Sequence, residues 1–430
     1  MGCDMKNKNK VLFKILFIFF GVFCLIVNKK SFTTEETIKI NKHEKLLSMM
    51  LEQNSGTGDY LQVTQSNWPT EGYIFNKERS GCENGGELSW DDTRKTVVMM
   101  GNTSDKCYVY FDIWDPSFAD VCNNKDYLAS CVKAFGNLGA DISNIYIHNS
   151  GLANGAGDNS YRYAGASDKV NNFVCFGSTE TPCPNDNLYR MIGVIDGKVK
   201  LIKYDYANSN LLGTGGDYAS SRSPNEEYIG KLTSIDAYYW NRKATGKNSN
   251  TWSTSLLNKT NLNTNFLNNL GGVWASKIAT TTWKVGGNTL DKIYSNATPS
   301  VAYQNEIVNP DAANSTDNAT TYNAKVGLMY ISDYGFAASP SAWTTVLSDY
   351  YKSSSIINSN WMYMGFYEWT ISRDSSNAYY VTPILYVNYV LIGTELNTGN
   401  HYGVRPCFSL NSSVSYVSGT GTENDPIVIN

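Results

Sequence analysis

Two β-prone runs, Tyr189–Ile195 and Lys198–Lys203, are separated only by Asp196-Gly197. Asp-Gly between such runs is a type I′ hairpin signature, because both central positions need positive φ. No other stretch restricts the fold so tightly: the hairpin commits the second half of the chain to antiparallel sheet. Further β-prone runs fit that commitment: Asn172–Phe176 before it, then Lys325–Ser332, Trp361–Ser372, Tyr379–Leu391 and Gly403–Leu410 after it. Leu256–Leu270 and Val273–Ile278 are expected to be partly helical. In the first half, Tyr73–Phe75, Val97–Met100 and Cys107–Phe111 read as strands between Gly, Asn and Asp clusters. Phe118, Val121, Leu128, Val132 and Phe135 recur at helical spacing. The Gly/Asn-rich stretch Gly151–Gly165 reads as a surface loop. The expected class is α+β: a small β module over 57–116, a helix and connector over 117–169, and a β-rich domain over 170–430. A chain of 430 residues can support several cores.

Ahead of these elements stands an apolar segment. Met1–Lys10 is basic, and residues 11–27 (VLFKILFIFFGVFCLIV) are apolar except for Lys14. This has the shape of a secretory signal, but no small-residue cleavage site follows. Two readings stand: an uncleaved transmembrane anchor over 11–28, or a signal that is removed. Lys29 and Lys30 after the segment blunt the orientation signal. Residues 29–56 read as a helical stalk. It starts at Thr34 with Glu35 and Glu36, carries apolar Ile38, Leu46, Met49 and Met50, and ends at Gly56 and Gly58. A pilin would share this layout, but the pilin processing motif is missing.

Seven of the nine cysteines lie beyond the apolar segment. An exported chain makes disulfides their natural state. Cys82 with Cys107 and Cys175 with Cys183 are the expected bridges; the first would close a loop worth roughly 3.5 kcal/mol of chain entropy. In one unbroken helix Cys122 and Cys131 would sit about 13 Å apart, too far to bond. They are therefore core thiols, unless the helix breaks at Asn123-Asn124. No metal site is expected: there is no C-x2-C, and His43, His148 and His401 are scattered.

Net charge is −4 and no basic run lies outside the N-terminus, which argues against nucleic acid as a partner. There is no P-loop, no G-x-S-x-G and no H-E-x-x-H, so neither a catalytic set nor a cofactor is expected. The partners expected instead are a membrane, through residues 11–27, and a surface glycan or protein.

The order of motifs is distinctive. After the hairpin come Tyr239-Trp240, Thr251-Trp252-Ser253, Gly327-Leu328-Met329-Tyr330, Trp369-Thr370-Ile371-Ser372 and Gly403-Val404-Arg405-Pro406, then the tail Gly419–Pro426. Over about residues 170–430 this resembles an uncharacterised extracellular domain of Gram-positive gut bacteria that closes on Gly-Val-Arg-Pro. Tyr60–Phe111 is similar to a module found upstream of such domains. The ending is more distantly similar to the formylglycine-generating-enzyme branch of the C-type-lectin fold. That likeness implies a lectin-like C-terminal domain. It does not carry the enzyme activity across, since those enzymes use a cysteine pair and only Cys407 lies in this stretch. Some members of the branch are binding proteins that vary just before the closing strand, which here is Arg373–Tyr402.

Arg373–Tyr402 is thus the candidate binding surface. It carries Tyr379, Tyr380, Tyr386, Tyr389, His401 and Tyr402, with Asn377, Asn388, Asn397 and Asn400 between them. Tyrosine supplies rigid amphipathic contact area and asparagine supplies donors and acceptors. The same tyrosines would suit a half-buried strand pair equally well. Trp369, Arg405 and Pro406 are expected to be structural, with Glu368 or Asp333 as the partner of a buried Arg405. The functional expectation is a membrane-anchored extracellular binding or adhesion module. The alternative is a structural component of the cell envelope or of a pilus-like assembly.

Overall fold

The computed structural model describes residues 47–63, 72–91, 93–100, 105–123, 127–222, 234–242, 249–286, 288–289, 297–311, 314–384 and 400–430. The expected basic tail, membrane segment and first part of the stalk lie outside these residues. Among those described, no helix is long and apolar enough to cross a membrane. The fold is mixed α+β, and the chain divides into Met1–Trp114 and Asp115–Asn430.

The N-terminal unit is a sheet ordered Tyr60–Gln62, Leu47–Glu52, Cys107–Ile113, Tyr73–Phe75, with Gly81–Cys82 also pairing with Cys107–Ile113. Leu47–Glu52 corrects the expected stalk, which was to remain helical to residue 56. It runs parallel to Cys107–Ile113, with Met49 opposite Val109 and Leu51 opposite Phe111. All four side chains are buried. Met49 and Leu51 alternate in a way that helical spacing cannot reproduce, and pairing across the sheet decides the conformation. Cys82 and Cys107 are bonded to each other beside this core. The core itself is small: Met49, Leu51, Leu88, Cys107, Val109 and Phe111. With six buried apolar side chains among the described residues, at roughly 1.5–3 kcal/mol each, a bridge worth roughly 3.5 kcal/mol is a substantial share of the stabilisation seen there.

The second unit is organised on a nine-stranded sheet. Its main order is Val326–Gly327, Cys407–Ser409, Lys198–Lys203, Leu188–Ile195, Phe173–Cys175, Ile427–Ile429, Tyr416–Ser418. The Asp196-Gly197 hairpin forms as expected: both residues have positive φ, 50° and 73°. It lies inside the sheet, so its strands are buried along nearly their whole length. A bulge falls at Gly193, where Tyr161–Tyr163 joins the strand; a Cβ at Gly193 would sit 1.9 Å from the Tyr161 carbonyl oxygen. Only glycine permits that approach.

Phe118–Cys122 starts at Ser117, whose side chain and that of Asp120 cap one another's backbone amides. Asn123 ends it and Leu128–Gly136 follows, so the helical run is indeed broken near Asn123. Cys122 and Cys131 are both buried in the main core. Cys175 and Cys183 are bonded, and Cys407 is a buried free thiol.

Other expectations are revised in detail. Of Lys325–Ser332 only Val326–Gly327 is strand, and Ile331–Phe336 is a helix capped by Asp333. Of Trp361–Ser372 the strand is Glu368–Arg373. Tyr161–Tyr163, expected in a loop, is a strand. Leu257–Phe266 is a π-helix. Leu257, Leu262 and Phe266 are all buried though spaced five and four apart, which the wider π turn accommodates.

Candidate functional site

The candidate surface begins where the strand Glu368–Arg373 ends, and its frame is fixed by buried contacts. Trp369 is buried and donates its indole N–H to the Tyr238 carbonyl at 2.6 Å. Its backbone N–H donates to Gly403 O at 3.1 Å, and Gly403 N–H donates to Tyr367 O at 2.9 Å. A Cβ on Gly403 would meet the Tyr206 ring at 2.5 Å, so this crossing requires glycine. Arg405 forms a two-pronged bond with Glu368, at 2.6 and 2.7 Å, and a third bond to Met362 O at 2.9 Å. Of its two expected partners Glu368 is the one used; Asp333 pairs with Arg162 and Lys200 instead. Pro406 is buried, and its carbonyl accepts from Lys203 N–H.

The loop from Asp374 to Tyr380 is tied down by buried Asn250 and starts from buried Arg373, which is itself anchored on the segments around Val285 and Asn318. Asn250 donates its side-chain amide to the carbonyls of Asp374, Asn377 and Tyr380 at 3.0, 2.7 and 2.8 Å. Its backbone N–H donates to Ala378 O, and its Oδ1 accepts from Asn318. Arg373 is fully buried and donates to the carbonyls of Val285 and Asn318 and to the side chains of Thr316 and Asn314. Burial pushes the Arg373 guanidinium down to about 10, with Asp374 and Asp311 opposing that shift. Asp374 Oδ1 accepts from Ser376 and Asn377, closing the turn. No sequence motif marks Asn250 or Asn318; they lie 68 residues apart and meet only in the folded chain.

The expected binding residues separate into groups. Tyr379 is exposed at the tip of the tied loop, Tyr380 is half-buried, and Asn377 accepts from Tyr379 N–H. At the far end Asn400 is exposed and His401 is half-buried. His401 meets the Tyr239 ring edge-on at 5.6 Å and lies 3.4 Å from Ser220 Oγ. The Arg242 guanidinium lies over the same Tyr239 ring, 4.7 Å from its centre. Tyr402 is corrected: it is a core residue, packed on Trp369 at 4.5 Å and on Tyr367 at 5.3 Å. Its place is set by paired backbone bonds with Tyr238. Tyr386, Asn388, Tyr389 and Asn397 lie outside the described residues. Tyr239, Arg242 and Ser220 were not expected at the site; the bridge between Tyr238 and Tyr402, together with the pairing of Tyr218–Arg222 with Ile235–Tyr238, brings them there.

Cys82, Asp105 and Cys107 come within ligand-like reach of one another, but the two sulfurs are joined to each other. Asp105 instead accepts bonds from Asn84 and Gly86. A shallow cleft elsewhere is lined by Tyr127, Lys133, Gly197 and Ser412 and has no buried charge. No protein-family model matches the chain, no curated protein matches it, and no solved structure matches it.

Proposed function

We propose that this protein is a binding or adhesion module, held to a membrane through residues 11–27 with its body outside the cell. It captures a surface glycan or protein through the face around Arg373–Tyr402. The observation that carries this reading is the Asn250 clamp. Three carbonyls of one surface loop are held by a single buried amide, while the loop's own Tyr379 is left exposed. A tyrosine of the core would be buried; this one keeps 36% of its surface open to solvent on a loop whose backbone is pinned. Preordering of this kind reduces the entropy lost when a ligand binds. The His401, Tyr239 and Arg242 group adds aromatic edges and a cation, the chemistry that stacks on sugar rings or on apolar patches of proteins. A C-type-lectin-like fold for the second unit belongs to this proposal.

Arrays of glycans and of surface proteins, probed with the wild-type chain and with Tyr379→Ala/Tyr239→Ala, test it. Signals on a defined ligand set that vanish in the variant support the reading. Equal signals from both proteins, or none from either, oppose it. A second reading, a structural part of the envelope or of a pilus-like assembly, is favoured by the N-terminal unit. Leu61, Ile74 and Met100 there are each more than half exposed, an apolar display suited to lateral packing. Filaments seen on native cells by electron microscopy would favour that reading.

A further inference from the structure

Three buried charges, Lys200, Asp333 and Arg162, meet between the central hairpin and the helix Ile331–Phe336. Asp333 Oδ2 accepts from Lys200 Nζ at 2.5 Å and from Tyr330 N–H at 3.0 Å, and Oδ1 accepts from Arg162 at 3.1 Å. Arg162 also pairs with Asp158 at 3.0 Å. The side chains of Lys200 and Asp333 are 8% and 3% exposed. The amine lies 4.6 Å from the centre of the Tyr330 ring and 5.6 Å from that of Trp283. A second fully buried acid, Glu306, lies nearby; it accepts from the backbone of Ser332, the neighbour of Asp333, and from Ser372 Oγ.

We propose that Lys200 and Asp333 condense to an intramolecular isopeptide bond, a covalent cross-link made by the folded chain itself. The reactant is the buried ion pair. One proton passes from Nζ to Oδ2 along their hydrogen bond, leaving a neutral amine and a neutral acid. The nitrogen attacks Cγ and the C–N bond forms, while Arg162 stabilises the charge that develops on Oδ1. A second proton moves from nitrogen to Oδ2, the Cγ–Oδ2 bond breaks and one water leaves. The product is an amide with one N–H, whose carbonyl Oδ1 keeps its bond to Arg162. The balance is one ammonium and one carboxylate to one amide and one water, with no oxidant and no cofactor.

Three features of the site favour this step. Nζ is held in hydrogen-bond contact with Oδ2, one bond away from the Cγ it attacks, which replaces a bimolecular encounter by an internal one. Both reactants are charged and desolvated, a costly state that the neutral amide removes. The remaining charges stay balanced, because Arg162 keeps Asp158. Burial would by itself raise the Asp333 carboxyl, but Lys200 and Arg162 overcome this and hold it below its usual range, so the neutral tautomer is the minor form through which reaction passes. Glu306, bonded to Ser332 beside Asp333, is pushed up to about 7 by burial, so a neutral acid rather than a second carboxylate stands near the pair and adds no charge that would hold Lys200 protonated. The link would join a central strand to a helix 133 residues away in sequence and lock the sheet against pulling forces on an anchored protein.

The test is tryptic peptide mapping of the full chain after reduction of its disulfides. The expected result is one branched species joining the Lys200 and Asp333 peptides, lighter than their sum by one water and uncleaved after Lys200. Lys200→Arg keeps the charge but lacks the nucleophile and should give linear peptides only. Linear peptides alone from the wild type would overturn the proposal, whatever the variant does. So would a water loss confined to a linear Asp333 peptide, which marks an internal imide.

Discussion

Glu306 gives the sharpest stability prediction. Its carboxyl is fully buried, and burial, with the nearby Asp333 charge adding to it, raises the group from 4.5 to about 7. Bonds from Ser372 and Ser332 act in the opposite direction and are outweighed. Below pH 4.5 the group is protonated in both folded and unfolded chains. As pH rises from there toward 7, the unfolded chain releases its proton and the folded chain does not. Stability is therefore lost across that window, by about 1.4 kcal/mol per pH unit and about 3 kcal/mol in all. Glu306→Gln keeps the shape and hydrogen-bonding capacity but cannot ionise. Urea unfolding of wild type and variant at pH 5 and pH 8 measures the difference. The variant should gain on the wild type by roughly 2–3 kcal/mol between the two pH values. An equal pH dependence in both proteins would refute a buried, neutral Glu306.

Reducing Cys82–Cys107 should unfold the N-terminal unit before the rest, because the core among its described residues is far smaller than that of the second unit; tryptophan and near-ultraviolet signals with and without reductant report this. Glu368→Ala should cost about 3–5 kcal/mol by leaving Arg405 buried without its carboxylate, read as a loss of thermal stability or of soluble yield. Asn250→Ala removes three bonds to the loop from Asp374 to Tyr380 and should raise hydrogen exchange there, at a cost of about 1–3 kcal/mol. Protease applied to intact cells should digest the chain beyond residues 11–27; protection of the body would reverse the proposed orientation.

Local signals in the sequence located the hairpin at Asp196-Gly197, both disulfides and the structural role of Trp369 and Arg405. Each rests on short-range chemistry: a turn that needs positive φ, cysteines close along the chain, or a large side chain between strand runs. Where a long-range partner decides, the sequence was silent or misleading. Met49 and Met50 suit a helix face as well as a strand, and only pairing with Cys107–Ile113 makes them strand. Leu257, Leu262 and Phe266 follow a π period that a 3.6-residue search does not register. Tyr402 looked like the other tyrosines of its segment, yet its backbone bonds to Tyr238 turn it into the core. Those same bonds bring Tyr239, Arg242 and Ser220 to His401, so half of the candidate surface comes from a stretch about 160 residues upstream.

The proposed binding face is tested most directly by isothermal titration. The ligand is the best one selected on the arrays, and the proteins are the wild type, Tyr379→Ala/His401→Ala and, as a control on the distant cleft, Lys133→Ala. Loss of two aromatic contacts at about 0.5–1.5 kcal/mol each should weaken binding by about five- to a hundredfold in the double variant. The melting temperature should stay unchanged, and the Lys133 control should match the wild type. Unaltered affinity in the double variant, with loss in the control, would place recognition elsewhere on the molecule.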